Sequence, residues 1–355
     1  MPTIIITGGH HNSALVVAKL LLKQDCKVVW IGHRYSSRGD TVDSAEYVEV
    51  KNSLIKFHDL VAGKMVLSIK EILLFPQGIY RAIKLLYKIK PSAILSFGGY
   101  LGGTVAIAAK LLGLPIYLHE QTVTAGRANK LIGYLAKKIY LTWPESSQYF
   151  SAQKTKVVGL PLRNGILASP KKSFFTRHKP TLLVMGGKQG AHALNQFIFA
   201  NLSDLLTHFN LIHQTGTSSL TNDYDTALAL KNMLGSHSDC YLPLGYIGEL
   251  EIGDYLWSSD YYFGRSGAHI CYELGVVGLK SILVPLMFTH DHEQHKNATI
   301  LVKALLGTIL SQTNLNFFNF LTSYKKLQTS KPIKLELQAN AADLLVHDLL
   351  LDLEK

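Results

Sequence analysis

Thr181-Leu182-Leu183-Val184-Met185 runs directly into Gly186-Gly187-Lys188-Gln189-Gly190. The first five residues read as a short apolar strand and the next five as a glycine turn. Ala191 to Leu206 follows with helical spacing, and Phe209 to Gln214 reads as the next strand. About 180 residues earlier the same order occurs. Ile4-Ile5-Ile6 leads into Thr7-Gly8-Gly9-His10, then the amphipathic run Ala14 to Leu22 and a strand from Lys27 to Ile31. Strand, glycine turn, helix and strand, twice in one chain, predict an α/β protein with two parallel-sheet domains.

The length of 355 residues suits this division, at roughly 150–200 residues per domain. The polar stretch Ser169 to Pro180, rich in lysine, serine and proline, marks the junction. The expected domains are residues 1–168 and 169–334. A helix over about Leu335 to Leu353, within residues 335–355, is open to either domain.

Apolar residues make up 47 % and charged residues 17 %, a composition that builds cores and excludes a disordered chain. The three cysteines, Cys26, Cys240 and Cys271, lie far apart without a CxxC pair. That argues against a disulfide framework or zinc site and fits a reducing cytoplasm. No basic segment precedes the apolar start at Thr3, so no signal peptide is read there. The long apolar stretch Ala93 to Leu118 contains Gly98-Gly99, Gly102-Gly103, Lys110 and Pro115. It reads as strand, glycine loop, helix and strand, and no transmembrane helix is expected. A net charge of +11 suits an anionic membrane surface or a phosphorylated substrate. Without an RNP, helix-turn-helix or finger pattern, nucleic acid is not an expected partner.

Three glycine turns carry the chemistry: Thr7-Gly8-Gly9-His10, Ser96-Phe97-Gly98-Gly99-Tyr100 with Gly102-Gly103, and Gly186-Gly187-Lys188-Gln189-Gly190. Such a turn between strand and helix aims backbone N–H groups into a crevice, where the helix N-terminus favours phosphate. Each alone also fits a simple chain reversal; together they suggest two phosphate-bearing ligands. Neither GxxxxGK[ST] nor GxGxxG with a following ribose-binding acid is present, which sets aside P-loop hydrolases and nicotinamide dehydrogenases.

In the second half, Tyr261-Tyr262-Phe263 precedes Gly264-Arg265-Ser266-Gly267-Ala268, and the helical run beyond carries Glu273. A carboxylate behind a small-residue turn can take both ribose hydroxyls while the helix N-terminus faces a diphosphate. After the strand Ser281 to Pro285 comes His290-Asp291-His292-Glu293-Gln294-His295-Lys296-Asn297, whose amides and carboxylates suit sugar hydroxyls. Its histidines lack HExxH spacing and a cysteine partner, so no metal is assigned.

These residues resemble the MurG family of glycosyltransferases, of GT-B architecture, over nearly the whole chain. The motifs are Thr7-Gly8-Gly9-His10, Gly98-Gly99-Tyr100, His119-Glu120-Gln121 with Ala125-Gly126 and Asn129-Lys130, and Gly159 with Pro161 and Arg163. They continue in Gly186-Gly187 with Gln189-Gly190-Ala191 and Leu194-Asn195, and in His213-Gln214-Thr215-Gly216. Arg265-Ser266-Gly267-Ala268 with Glu273, and Asp291 with Gln294, Asn297 and Ala298, complete them.

The resemblance implies two Rossmann-like domains facing across a cleft, with UDP-N-acetylglucosamine as donor on the second. The backbone at Ile247 would meet the uracil and Glu273 the ribose. The turn of Gly187, Lys188, Gln189 and Gly190 and that of Arg265, Ser266, Gly267 and Ala268 would flank the diphosphate, and Gln294 would reach the sugar. Arg163 would approach the donor from the domain junction. Thr7, Gly8, Gly9, Gly98, Gly99, Tyr100, Thr122 and Asn129 would serve substrate binding, the glycines facing the diphosphate of an undecaprenyl-linked acceptor. His10 is the candidate base or acceptor-phosphate contact, with a plain loop hydrogen bond as the alternative. The implied reaction is inverting transfer to N-acetylmuramoyl-pentapeptide on its lipid carrier, a step of peptidoglycan synthesis, with no obligatory metal.

The chain departs from the family pattern at four places. Ile5 and Ile6 replace the first two glycines, Lys188 a serine, Thr122 an asparagine, and Glu293-Gln294 a paired glutamine. Another lipid or glycan acceptor, a UDP-N-acetylglucosamine 2-epimerase of similar fold, and a non-catalytic sugar-nucleotide-binding subunit stay open.

A lipid acceptor also implies peripheral docking on the cytoplasmic face of the membrane. Lys64 to Lys90 supplies Met65, Val66, Leu67, Ile69, Ile72, Leu73, Leu74, Phe75, Ile79 and Tyr80 among Lys64, Lys70, Arg81, Lys84, Lys88 and Lys90. That mixture suits insertion beside anionic lipid. A core-packed helix pair with a basic edge is the competing reading.

Overall fold

The computed structural model describes residues 1–35, 43–63, 69–167, 171–176, 178–187, 189–288 and 290–354. The chain forms two compact units, Met1–Leu162 with Gln338–Lys355, and Arg163–Leu337. The division comes ahead of the polar stretch at Ser169 to Pro180.

The first unit holds seven strands: β1 (Thr3–Thr7), β2 (Lys27–Gly32), β3 (Lys56–Asp59), β4 (Ala93–Ser96), β5 (Ile116–Glu120), β6 (Lys138–Leu141) and β7 (Thr155–Val157). Their order is β3-β2-β1-β4-β5-β6-β7, and every pairing is parallel. Such a sheet is covered on both faces, which explains the unbroken Ile4-Ile5-Ile6 run. Ile4 and Ile6 face the helix His11–Lys23 through Ala14, Leu15, Val17, Ala18 and Leu21. Ile5 faces the opposite layer with Val29, Ile94, Leu101, Val105 and Ile132.

The second unit repeats the plan with β8 (Thr181–Met185), β9 (Asn210–Gln214), β10 (Tyr241–Leu244), β11 (Tyr261–Gly264), β12 (Lys280–Leu283) and β13 (Gly307–Ile309). The order is β10-β9-β8-β11-β12-β13, again parallel throughout. In both sheets the order reverses beside the first strand, β1 or β8. In open α/β sheets, ligands collect beyond the carboxyl ends of the strands at such a switch.

Two expected helices are corrected. The run Ala191 to Leu206 forms two helices, His192–Ala200 and Leu202–His208, broken at Asn201, whose amide side chain bonds Phe197 O at 2.7 Å. Side-chain competition for backbone acceptors is why asparagine interrupts helices. The last helix starts at Ala341, beyond Leu335. Leu335 and Leu337 instead lie against Gly275 in the second unit. The helix Ala341–Leu353 then buries Leu345, Val346 and Leu349 on the first unit, in the same core layer as Ile4.

Polar contacts fix this returning helix. Asp348 accepts from Lys138 at 2.7 Å, from Tyr140 at 3.0 Å and from Lys156. Asp352 accepts from Tyr117 at 2.7 Å and pairs with Lys137 at 2.9 Å. These donors outweigh burial and hold the Asp348 carboxyl down at about 2.

The basic apolar segment is also sorted. Met65, Val66 and Leu67 lie outside the described residues, as does Lys64. The helix Ile69–Ile89 turns Ala82 and Leu86 into the core with Ile79 and Ile83 packed beside them, so Ile79 is not free for lipid. Tyr80, Tyr87, Arg81, Lys84 and Lys88 remain exposed, with Lys84 Nζ 4.6 Å from the Tyr80 ring centre. No described helix is long and apolar enough to cross a membrane. The three cysteines are free and buried.

Candidate functional site

In the first unit the residues at the ends of β1, β4 and β5 come together. Gly8 has φ +138°, and a Cβ there would stand 2.6 Å from the Phe97 backbone, so the β1 and β4 turns are held in backbone contact. Gly9 N donates to Gly98 O at 3.2 Å. Gly98, at φ +86°, leaves room for the Asn129 amide, which a Cβ would meet at 2.6 Å. Only glycine takes such a conformation without strain. Asn129 accepts from Gly99 N at 3.0 Å and donates to Glu120 Oε2 at 2.8 Å. The other Glu120 oxygen accepts from Thr122 N at 3.0 Å and Thr122 Oγ1 at 2.8 Å. Thr122, in the family's asparagine position, thus caps a fully buried carboxylate.

His10 caps the helix His11–Lys23 without a side-chain cap bond. Burial, aided by His11 nearby, lowers its imidazole to about 4. His119 is fully buried, bonds Gly159 O through Nε2 at 3.1 Å, and is likewise held at about 4. Both rings are neutral at pH 7, so His10 can accept a proton but brings no standing positive charge. Thr7 Oγ1 and His119 Nδ1 are buried with no hydrogen-bond partner among the described residues. Tyr100 OH meets His33 Nε2 at 2.6 Å, with the rings stacked 5.3 Å apart. His33 and Glu120 were not among the expected site residues. Glu120 stood inside a quoted motif, whereas His33 carries no local signal and meets Tyr100 only through the sheet order.

In the second unit, Gly187 has φ +95° with open space where a Cβ would stand, and its carbonyl accepts from Gln214 Nε2 at 2.9 Å. Gly190 has φ +81°, and a Cβ there would collide with Thr215 O. Gln189 is exposed. Lys188 lies outside the described residues. Ile247 is buried.

Gly267 caps the helix Ala268–Val277, whose first internal bond is Cys271 N to Gly267 O at 3.1 Å. The N–H groups ahead of it point out of the helix end, as helix geometry requires. Ser266 donates to Gln294 O at 2.9 Å and Asn297 to Ser266 O at 3.3 Å, tying this turn to the helix Glu293–Lys303. Gln294 Oε1 accepts from Leu286 N at 3.0 Å.

Arg265 and Glu273 are each held by protein partners. Arg265 is turned inward, donating to Val284 O at 3.0 Å and Gln312 Oε1 at 2.6 Å, so it props the turn from behind. Glu273 is fully buried and its carboxylate is held by Arg163. Nε and Nη2 reach Oε1 at 2.9 and 2.6 Å, and Nη2 reaches Oε2 at 2.6 Å. Burial raises the Glu273 carboxyl while Arg163 works against it. Asp291 pairs with Lys296 at 2.8 Å. Among the described residues no group of three or more His, Cys, Asp or Glu is placed to hold a metal.

Each unit thus places glycine turns at the switch in strand order, where open α/β sheets take ligands and backbone N–H groups favour anions. Two family models match successive parts of the chain. Residues 3–141 match the glycosyltransferase family 28 N-terminal domain, and residues 181–348 the family 28 C-terminal domain. The chain is 31 % identical over 350 residues to the UDP-N-acetylglucosamine–N-acetylmuramyl-(pentapeptide) pyrophosphoryl-undecaprenol N-acetylglucosamine transferase of Haemophilus influenzae (strain 86-028NP), covering 95 % of this chain and 93 % of that one. Acinetobacter baumannii MurG superposes with a TM-score of 0.73 at 24 % identity, over 99 % of this chain and 100 % of that one. The UDP-GlcNAc 2-epimerase of Neisseria meningitidis bound to UDP-GlcNAc does so at 0.64 and 15 %, over 99 % and 100 %.

Proposed function

Because this chain belongs to the MurG family within glycosyltransferase family 28, we propose that it moves N-acetylglucosamine from UDP-N-acetylglucosamine to undecaprenyl-diphosphate-linked N-acetylmuramoyl-pentapeptide. The observation that carries the reading is the helix Ala268–Val277, with an open N-terminal turn at Gly267 and a buried carboxylate, Glu273, further along it. A nucleoside diphosphate needs both, an N-terminal turn for its phosphates and an acceptor pair for its ribose. The epimerase shares the fold at 15 % identity, whereas the transferase relative shares sequence at 31 %, which favours transfer.

In this reading the second unit holds the donor, with the Gly187–Gly190 turn and the Ala268 turn on the diphosphate and Gln294 near the sugar. The first unit takes the acceptor diphosphate at Gly8-Gly9 and Gly98-Gly99. The acceptor hydroxyl attacks the anomeric carbon from the face opposite UDP, inverting it. His10, neutral at pH 7, accepts the hydroxyl proton. The helix N-terminus and Arg163 stabilise the negative charge gathering on the departing UDP, so no metal is obligatory. Peripheral docking on anionic lipid would use the exposed Tyr80 and Tyr87 among Arg81, Lys84 and Lys88, on the cytoplasmic face where the donor is available.

The test is transfer from radiolabelled UDP-N-acetylglucosamine to a panel of undecaprenyl-diphosphate acceptors. Label should enter the lipid fraction with the muramoyl-pentapeptide acceptor. Label on another acceptor alone would change the acceptor, epimerised sugar would favour the epimerase, and failure to bind UDP would remove the donor reading.

A further inference from the structure

Glu273 is completely enclosed, and the Arg163 side chain is 11 % exposed. An ionised carboxylate this deep cannot be left without donors. Here Arg163 supplies them, N–H groups reaching both carboxylate oxygens at 2.6–2.9 Å. A ribose offers the same pattern, two adjacent hydroxyls as paired donors at ordinary hydrogen-bond distance. Both sets cannot occupy one enclosed carboxylate. The diol can reach Glu273 only if the guanidinium leaves, and a displaced guanidinium needs an anion. The nearest one in the donor reading is the diphosphate at the first turn of the same helix. Residue 268 precedes residue 273 by about 7.5 Å along the axis, from the helical rise per residue.

We propose that Arg163 stands in for the ribose in the unliganded protein and exchanges partners on binding, passing Glu273 to the vicinal diol and taking the diphosphate itself. The proposal rests on the donor reading above and adds a specificity device to it. A nucleoside without phosphates displaces Arg163 but gives it no anion. A diphosphate without ribose draws Arg163 away and strips Glu273 of its donors. Only a ligand with both groups completes the exchange, so the two groups bind cooperatively.

The experiment is calorimetric titration of the full chain and of Arg163→Gln with uridine and with UDP, with circular dichroism and a melting curve to verify the fold. The variant should bind uridine about tenfold more tightly and UDP about tenfold more weakly, within the usual range of coupling between sites. Affinities that fall together, or do not change, overturn the exchange while leaving the donor assignment standing. A native chain that binds no UDP overturns both. If Arg163→Gln does not fold, the native chain still decides the matter. Saturating uridine should tighten inorganic pyrophosphate binding about tenfold, and no effect would sink the proposal.

Discussion

Gly187 and Gly190 sit three residues apart in one turn, both at positive φ, yet the structure asks different things of them. At Gly187 an added methyl meets nothing within 4 Å, so Gly187→Ala carries only the left-handed backbone penalty, about 1–2 kcal/mol. At Gly190 the methyl lands on Thr215 O, and the backbone there cannot yield without disturbing the end of β9. Adding an overpacking cost of about 1–3 kcal/mol gives Gly190→Ala roughly 2–5 kcal/mol in total. Trp257 lies in the second unit while Trp30 and Trp143 lie in the first. Urea unfolding followed by Trp fluorescence in a Trp30→Phe, Trp143→Phe background therefore reports the second unit. UDP affinity is measured alongside. Gly187→Ala should lose about 1–2 kcal/mol of stability and, if its open side is where a phosphate approaches, UDP affinity as well. Gly190→Ala should lose both. Equal destabilisation by the two substitutions, or less than about 1 kcal/mol for Gly190→Ala, would refute the collision argument.

Further expectations concern both units. Asp348→Asn removes a carboxylate held at about 2 and should destabilise the first unit by about 2 kcal/mol at pH 7. Since that pKa is depressed on folding, the contribution is present above about pH 4 and lost as pH falls towards 2, so the wild-type and variant unfolding curves should converge in acid. His10, lowered to about 4, should give kcat/KM an acid limb near that value; a limb at the ordinary histidine pKa would remove His10 as the base. Glu273→Ala should weaken UDP binding about a hundredfold by removing the ribose acceptor, and an unchanged calorimetric affinity would end that role. Leu349→Ala, at a fully buried position on the returning helix, should cost about 2–5 kcal/mol in first-unit unfolding, and a loss under 1 kcal/mol would mean the helix is dispensable.

The parts of the fold that follow from local periodicity were legible. Ile4-Ile5-Ile6 and Thr181 to Met185 announce strands buried on both faces, and the glycines after them announce the turns. Asn201 was not read as a break, because the apolar spacing on either side continues across it. Leu335 and Leu337 were placed in the last helix because nothing local reveals that Gly275 takes them. The site shows the same limit. Glycines and Glu273 mark themselves by their setting in the chain, whereas the pairings of Glu273 with Arg163 and of Tyr100 with His33 join residues 110 and 67 positions apart. Such partners are set by the order of strands in the sheet, which local spacing does not encode.

The returning helix sets an order on biosynthesis. Ala341–Leu353 leaves the ribosome after the whole of the second unit, yet it supplies Leu345, Val346 and Leu349 to the layer that holds Ile4. Nascent domains tend to fold as they emerge. Here the N-terminal half must wait, its face at Leu15 and Leu21 uncovered, while its neighbour is translated. The unit that begins first is the one completed last, and a chain cut short before Ala341 would have that apolar face left bare.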